Sequence, residues 1–274
     1  MLANKAIAFG GYGHELVCQM AFDALPKTQQ LQLNDLVQAL PQHEKQLLVR
    51  GHKPVTFAQA CNWPDKIKRF KKYDKYKPWH YLNTSRDDQK ITADDCQQNC
   101  VAKGIIHHQK KLMTSQTSLE RAQAALFLSH WLADLHQPLH VSFASDLGGN
   151  KTRVKYDSSL PAGRCKNLHW YWDECLIMSK KLSISAYAQQ LSDNLNYDLA
   201  SPWRAEFVWQ WADESFALVR SESFNYCHTN NGECQTNDKS VVIDKTYQDK
   251  HVAIAEQQVQ KAAQRLANIL AQSL

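Results

Sequence analysis

His130 and Asp134, in LFLSHWLADLHQPLH, and His169 and Asp173, in NLHWYWDECL, are two imidazole and carboxylate pairs at the same four-residue spacing. On an α-helix that spacing places both side chains on one face, so their nitrogen and oxygen donors converge. A lone pair of this kind is ordinarily a surface ion pair or a satisfied core hydrogen bond. Here one pair is embedded among Phe127, Leu128, Trp131 and Leu132, the other among Leu168, Trp170 and Trp172. Burying ionisable groups in such surroundings is costly without a cation or a partner, which makes metal binding the better explanation. Imidazole and carboxylate without thiolate suit zinc in a catalytic setting, where an open position holds water. Di-iron chemistry would want Glu-x-x-His at three-residue spacing, and that motif is absent.

Pro138 disfavours helix in the residue before it, so the first helix should end near Gln137. His140 follows the break, where a loop turns it back toward the same point or an adjacent one. His136 lies two residues from Asp134 on a different face and reads as structural or as a support for the ligands.

The elements that must position these groups are helical. Apolar residues recur at three- and four-residue spacing over 14–25, 28–40, 118–137, 184–198, 202–220 and 247–272. The last segment carries Val259, Ala262, Ala263, Leu266, Ile269 and Leu270 on one stripe, a packing face. Strand-like alternation is confined to Arg153 to Tyr156, read as part of a short β-hairpin near 148–157 that follows Gly148-Gly149. The expected fold class is all-α, a single-domain helical bundle over 9–274. No linker, low-complexity tract or repeat divides the 274 residues, and ligand candidates this dispersed must converge in one fold.

A net charge of +5 permits a polyanionic partner without demanding one. The eight cysteines include no C-x-x-C knuckle, so disulfides in an oxidising compartment fit better than buried thiols in a reducing cytosol. Cys96/Cys100, Cys165/Cys175 and Cys227/Cys234 would each close a short loop and Cys18 would be left for Cys61, although spacing alone does not fix the connectivity. No stretch has the length of a transmembrane span. Ala6-Ile7-Ala8 has the small-x-small form of a signal-peptidase site without a preceding apolar region, so residues 1–8 are read as a signal-peptide remnant and Phe9 as the mature first residue. The expected location is secreted or periplasmic. The expected state is a monomer, since no heptad seam is evident.

In order along the chain stand FGGYGH (9–14), NWPDKIK (62–68), WHYLN (79–83), HWLADLHQPLH (130–140), DLGGN (146–150) and NLHWYWD (167–173), followed by a helix containing Arg265-Leu266-Ala267. With these motifs the sequence resembles the zinc-dependent type I nucleases, single-strand-specific nucleases and 3′-nucleotidases that share their helical fold with zinc-dependent phospholipase C. The resemblance implies three Zn2+ ions. Asp65, His80, His130 and Asp134 would hold the first, and His140, His169 and Asp173 the second. The third would take His14, a shared Asp134, and the amino group and carbonyl of Phe9. The family usually begins with Trp where this chain has Phe9, but the backbone atoms are the ligands; with residues 1–8 attached, Phe9 would lack its free amine.

The implied chemistry is attack on phosphorus by a zinc-bound water held by Asp65 and Asp134, while a further ion neutralises the leaving oxygen. The expected substrates are single-stranded DNA, RNA and 3′-nucleotides, and the expected products carry 5′-phosphates. Lys68, one helical turn beyond Asp65, is placed to contact the scissile phosphate, the alternative being an ordinary solvated lysine. Tyr81 occupies the family's base-stacking position, and Asn83 stands where many members have Asp, which relaxes base-edge preference. Gly148, Gly149 and Asn150 form a loop that lets backbone approach substrate; as an isolated signal Gly-Gly is more often just a turn.

Between Asp65 and His80, seven Lys and Arg residues interleave with Phe70, Tyr73, Tyr76 and Trp79. That alternation suits a single-strand groove, against the alternative of a solvated face. N-x-[ST] sequons at Asn83 and Asn150 overlap the site motifs and are expected to stay unglycosylated. Two rival readings are zinc-dependent phospholipase C, whose second helix typically offers His-x-x-x-Glu, and a non-catalytic protein with closed structural zinc sites.

Overall fold

The computed structural model describes residues 10–49, 53–230, 233–236 and 240–274. Helices dominate: α1 (Gly10–Ala24), α2 (Lys27–Gln38), α3 (Gln42–Lys45), α4 (Phe57–Ala60), α5 (Trp63–Ile67), α6 (Val101–Thr114) and α7 (Ser118–His136) in the first half. The second half holds α8 (Leu168–Trp170) and α9 (Leu176–Met178), joined by a π-helical turn (Tyr171–Cys175), then α10 (Ile184–Ser192), α11 (Phe207–Arg220) and α12 (Lys245–Ser273). Phe9 and residues 1–8 lie outside the described residues.

Local chemistry explains the boundaries. Thr117 caps α7 by accepting from the Glu120 N–H at 3.2 Å, and Asp244 caps α12 by accepting from Tyr247 N–H at 2.6 Å. Helix α7 stops where expected: Gln137, before Pro138, is extended (φ −84°, ψ 110°). Every residue of α7 from Ala124 to His136 is buried, because α2, α6, α11 and α12 pack around it. The predicted stripe of α12 is fully buried. Helix α10 ends sooner and α11 begins later than the periodicity suggested, because Asp198 takes up the backbone N–H groups of Ala200 and Ser201 in a loop. Helix α6 was missed by the sequence reading; its polar face carries Lys103, His107, Lys110 and Lys111 over a buried stripe of Val101, Ile105, His108 and Leu112.

The strands correct the expectation of one hairpin near 148–157. β3 (Arg153–Tyr156) pairs in parallel with β6 (Ser240–Ile243), from Arg153 opposite Ser240 to Tyr156 opposite Ile243. No turn at Gly148-Gly149 closes a hairpin there; Leu147, Gly148 and Gly149 are consecutive left-handed residues that redirect the chain. Among the described residues an antiparallel pairing lies elsewhere, between β4 (Cys227–Asn230) and β5 (Glu233–Thr236). β1 (Leu82–Thr84) and β2 (Val141–Phe143) pair in parallel. These pairs are too short to announce themselves by alternation, and in the two parallel pairs the partners are distant in sequence.

All four disulfides have the pairing reached by proximity and elimination: Cys18–Cys61, Cys96–Cys100, Cys165–Cys175 and Cys227–Cys234. The first ties α1 to the turn after α4. Among the described residues no helix is long and apolar enough to cross a membrane.

Candidate metal centre

The fold gathers His14, Asp65, His80, His130, Asp134, His140, His169 and Asp173 from distant places in the chain. His14 comes from α1 and Asp65 from α5, drawn together by Cys18–Cys61. His130 and Asp134 share one face of α7. His80 and His140 each stand at the entrance of a strand, and the parallel pairing of Leu82 with Val141 aligns them. His169 sits on α8 and Asp173 on the π-helical turn that follows; such turns recur at functional sites because they re-aim one side chain.

The donor atoms fall into three groups, the first two sharing His130: His14, Asp65 and His130; His80, His130 and Asp134; and His140, His169 and Asp173, with ligand atoms within 4.8 Å of one another in each. Asp134 lies at the centre, its carboxylate 3.2 Å from His14 Nε2, 3.0 Å from His80 Nδ1, 3.5 Å from His130 Nε2 and 3.7 Å from His140 Nδ1. Asp173 receives Nε2 of both His140 and His169 at 3.4 Å.

Three imidazoles are fixed in one tautomer by the backbone. Nδ1–H of His130 donates to Cys61 O at 2.8 Å, that of His140 to His80 O at 2.6 Å, and that of His169 to Gly148 O at 2.7 Å. Each Nε2 therefore faces the carboxylates, where a metal-ligating imidazole would direct its lone pair. Gly148 is needed for this approach: at φ +60° a Cβ would lie 2.3 Å from Leu139 O.

Electrostatics test whether cations fit. Asp65 Oδ2, Asp134 Oδ1, His140 Nε2, His169 Nε2 and Asp173 Oδ2 are buried without a hydrogen-bond partner. A divalent cation satisfies such atoms together, and with every cysteine in a disulfide the donor set is nitrogen and oxygen only. Burial raises the Asp65 carboxyl, but the charges of Lys68 and His130 outweigh it and hold the group well below the usual range. Burial likewise opposes ionisation of Asp134, and His130 and His140 overcome it. His80 is pushed down to about 3, mainly by burial, which leaves its nitrogens free of a second proton. His140 goes the other way: burial disfavours its cation, yet Asp134 and Asp173 raise it to about 9, a measure of how strongly this spot calls for positive charge.

The substrate-facing candidates surround this cluster. Lys68 places Nζ 2.6 Å from Asp65 Oδ1, so its ammonium sits on the cluster's carboxylate and not free in solvent. The Tyr81 ring is 43% exposed beside buried His80. Asn83 lies on β1 at a surface recess that continues along Ser85, Arg86 and Ser145. Gly149 N–H donates to Asp146 Oδ1 at 3.2 Å, and Asn150 Nδ2–H to Leu147 O at 2.8 Å, which brace the 146–150 loop. His136 turns away from the cluster: its Nδ1 meets Leu132 O at 2.7 Å and its Nε2 accepts from Arg265, a packing role on α12.

Gln137 was missed by the sequence reading. Fully buried, it donates through Nε2 to Asp173 Oδ1 at 2.6 Å and accepts the Leu139 N–H at 2.7 Å, fixing the Asp173 carboxylate from the turn that also delivers His140. The signal was available, since an amide between two candidate ligands at a helix break has few partners besides ligands and backbone.

Comparison with known proteins agrees with this geometry. The S1/P1 Nuclease family model matches residues 9–274. Endonuclease 2 of Arabidopsis thaliana is 30% identical over 74% of this chain and 68% of its own length. Endonuclease 3 of the same plant is 32% identical over 65% of this chain, a match that spans 58% of that protein. Nuclease S1 of Aspergillus oryzae is 23% identical over 97% of this chain and 92% of its own. The eight clustered imidazoles and carboxylates, brought together by a helical fold and set within a match that spans the chain from residue 9 onward, make this protein a member of the S1/P1 nuclease family, metal-dependent hydrolases of phosphodiester bonds in nucleic acid.

Proposed function

We propose that the chain is a zinc-dependent endonuclease of single-stranded DNA and RNA that releases 5′-phosphorylated products and also hydrolyses 3′-nucleotides. The observation that carries this is the convergence of three backbone-anchored imidazoles on Asp134 and Asp173, with their Nε2 atoms inward. The ligand sets are Asp65, His80, His130 and Asp134 for one ion, His140, His169 and Asp173 for a second, and His14 with Asp134 and the Phe9 amine and carbonyl for a third. In support of the last set, Gly10 abuts the Asp173 carbonyl at the head of α1, the helix that carries His14. Bound zinc would supply an activated water, held in place by Asp65 and Asp134, and neutralise charge developing on the leaving oxygen.

The chain's own groups do the rest. Lys68, already paired with Asp65, takes a non-bridging phosphate oxygen. Tyr81 offers an exposed ring that any unpaired base can stack on, so a duplex, whose bases are already stacked, is a poor ligand. Asn83 both donates to and accepts from a base edge. Gly149 and Asn150 bring backbone up to the strand. The single-domain chain acts as a secreted or periplasmic monomer after removal of residues 1–8, a location in keeping with its four disulfides.

The test incubates processed protein of verified metal content with single-stranded DNA, RNA, a 3′-nucleotide and a phosphatidylcholine emulsion. Turnover of the nucleic acids with about three zinc ions per chain is expected. Exclusive turnover of the lipid would transfer the assignment to phospholipase C, and absence of any turnover would leave a binding protein.

A further inference from the structure

The basic, aromatic segment between Asp65 and His80 is largely a 3-10 helix, Lys71–His80. It packs against α6, a helix rich in cations of its own. Where the two meet, away from the metal ligands, a recess of about 160 Å³ is lined by Tyr76, His107, His108, Lys111, Glu120 and Gln123. Its aromatic wall is rigid: Tyr76 packs on Phe127 with ring centroids at 4.4 Å and on Trp79 at 5.5 Å, and His107 meets Trp79 edge-on at 5.1 Å. Lys75 Nζ lies 4.9 Å from the Tyr76 ring centre, and Lys111 is exposed at the rim. His107 is lowered by burial and then by these two lysines, so at neutral pH it presents an uncharged ring. Glu120 and Gln123 add acceptor oxygens at the other side.

We propose that this recess is an accessory nucleotide subsite, which holds one nucleotide of a single strand whose scissile phosphate lies at the metal centre. The inference rests on the nuclease reading above. The chemistry that selects this ligand is the combination of flat rings for a base, two ammonium groups for its flanking phosphates, and carboxylate and amide oxygens for an exocyclic amino group. A lipid surface would want exposed apolar side chains, which the recess lacks. Tyr76 stands four residues before the helix's end at His80, about 8 Å at ~2 Å per residue, and Tyr81 follows in extended backbone, about 3 Å further on. A stacked strand advances about 3.4 Å per nucleotide, so the recess lies about three nucleotides from the base held at Tyr81. Short substrates never reach it. Adenine, cytosine and guanine carry an exocyclic amino group that Glu120 and Gln123 accept, and thymine and uracil do not, so strands poor in thymine and uracil gain most.

The test compares a deoxyadenylate dinucleotide with a deoxyadenylate 12-mer as substrates of the metal-loaded chain, and measures anisotropy with a phosphorothioate 12-mer that resists cleavage. Tyr76 packs in the core, so the variants are His107→Ala and Lys111→Gln, both at exposed positions, with melting temperature checked. The double variant should raise KM for the 12-mer and Kd for its phosphorothioate analogue about fivefold or more, and leave the dinucleotide KM and both kcat values unchanged. The slope of log Kd against log salt should fall by about 0.7 for the lost lysine. Unchanged constants, or equal changes for both lengths, would overturn the subsite. Failure of the unaltered protein to cut either substrate would overturn the nuclease reading and this inference with it.

Discussion

Removing the metal should destabilise the whole fold, and the structure sets the size of the effect. Asp65 Oδ2, Asp134 Oδ1, His169 Nε2 and Asp173 Oδ2 are buried and have no hydrogen-bond partner in the protein, while His140 takes a proton of its own when the metal leaves. A buried polar group left unsatisfied costs about 1–3 kcal/mol. Taking the lower end, because water enters a vacated site and protons redistribute, the metal-free protein loses about 4 kcal/mol. Unfolding entropy near 2.1 cal/mol/K per residue amounts to about 0.58 kcal/mol per degree for a chain of this length, so the melting temperature should drop by about 7 °C. Scanning calorimetry of protein dialysed against a chelator and then into buffer, with zinc content measured in parallel, reads this directly, and added zinc should restore the original value. A shift under about 2 °C with the metal demonstrably gone would mean that these atoms find partners within the protein, and the argument for a cation-dependent cluster would fail.

Three other perturbations separate the parts. Gln137→Ala frees Asp173 to rotate and should weaken metal retention at the His140, His169 and Asp173 group by about 10–100-fold, read as zinc loss to a competing chelator. Tyr81→Ala should raise KM about fivefold or more for single strands with a smaller change in kcat; an unchanged KM refutes the stacking role. Replacing Cys18 and Cys61 by Ser opens a loop closed across 43 residues and should cost about 4 kcal/mol. It should also slacken His130, whose Nδ1–H is held by Cys61 O, so zinc affinity should fall with stability.

The pH dependence has two limbs of opposite origin. His108, pushed down to about 3 mainly by burial, takes a proton in the unfolded chain well before it does in the fold, so stability falls as pH drops below 6.5 toward 3, with or without metal. His140, raised from 6.5 to about 9 against burial by Asp134 and Asp173, contributes stability that is complete below 6.5 and lost as pH rises through 9. Zinc replaces that proton, so the alkaline loss should appear in the chelated protein alone. Urea midpoints across pH 4–10 in both states check this, and an alkaline limb that survives zinc loading would contradict it.

Much of the candidate site was legible because helical spacing and residue type are local facts. His130 with Asp134 and His169 with Asp173 announce shared faces, and Pro138 announces the break that releases His140. The stripe of α12 was legible for the same reason, since periodicity is a property of the chain itself; proximity suggested three of the cysteine pairs, but the connectivity was decided only by the fold. Asp65, His14 and His80 were reached only through ordered motifs, since no local rule joins residue 14 to residue 134. What decided their meeting is tertiary: the disulfide between α1 and the turn after α4, and the parallel register of Leu82 with Val141, which sets His80 beside His140. The hairpin near 148–157 was misread for the complementary reason. A short strand carries no record of its partner, and β3 found β6 some eighty residues away, because packing of distant segments, not local preference, chooses which backbone groups a strand satisfies. Composition and spacing thus pointed to nitrogen and oxygen ligands on two helices and the ordered motifs supplied the remaining candidates, while the convergence of those ligands, the tautomers held by Cys61, His80 and Gly148 carbonyls, and the support of Asp173 by Gln137 exist only once the chain has folded, since each needs a group from a segment remote in sequence.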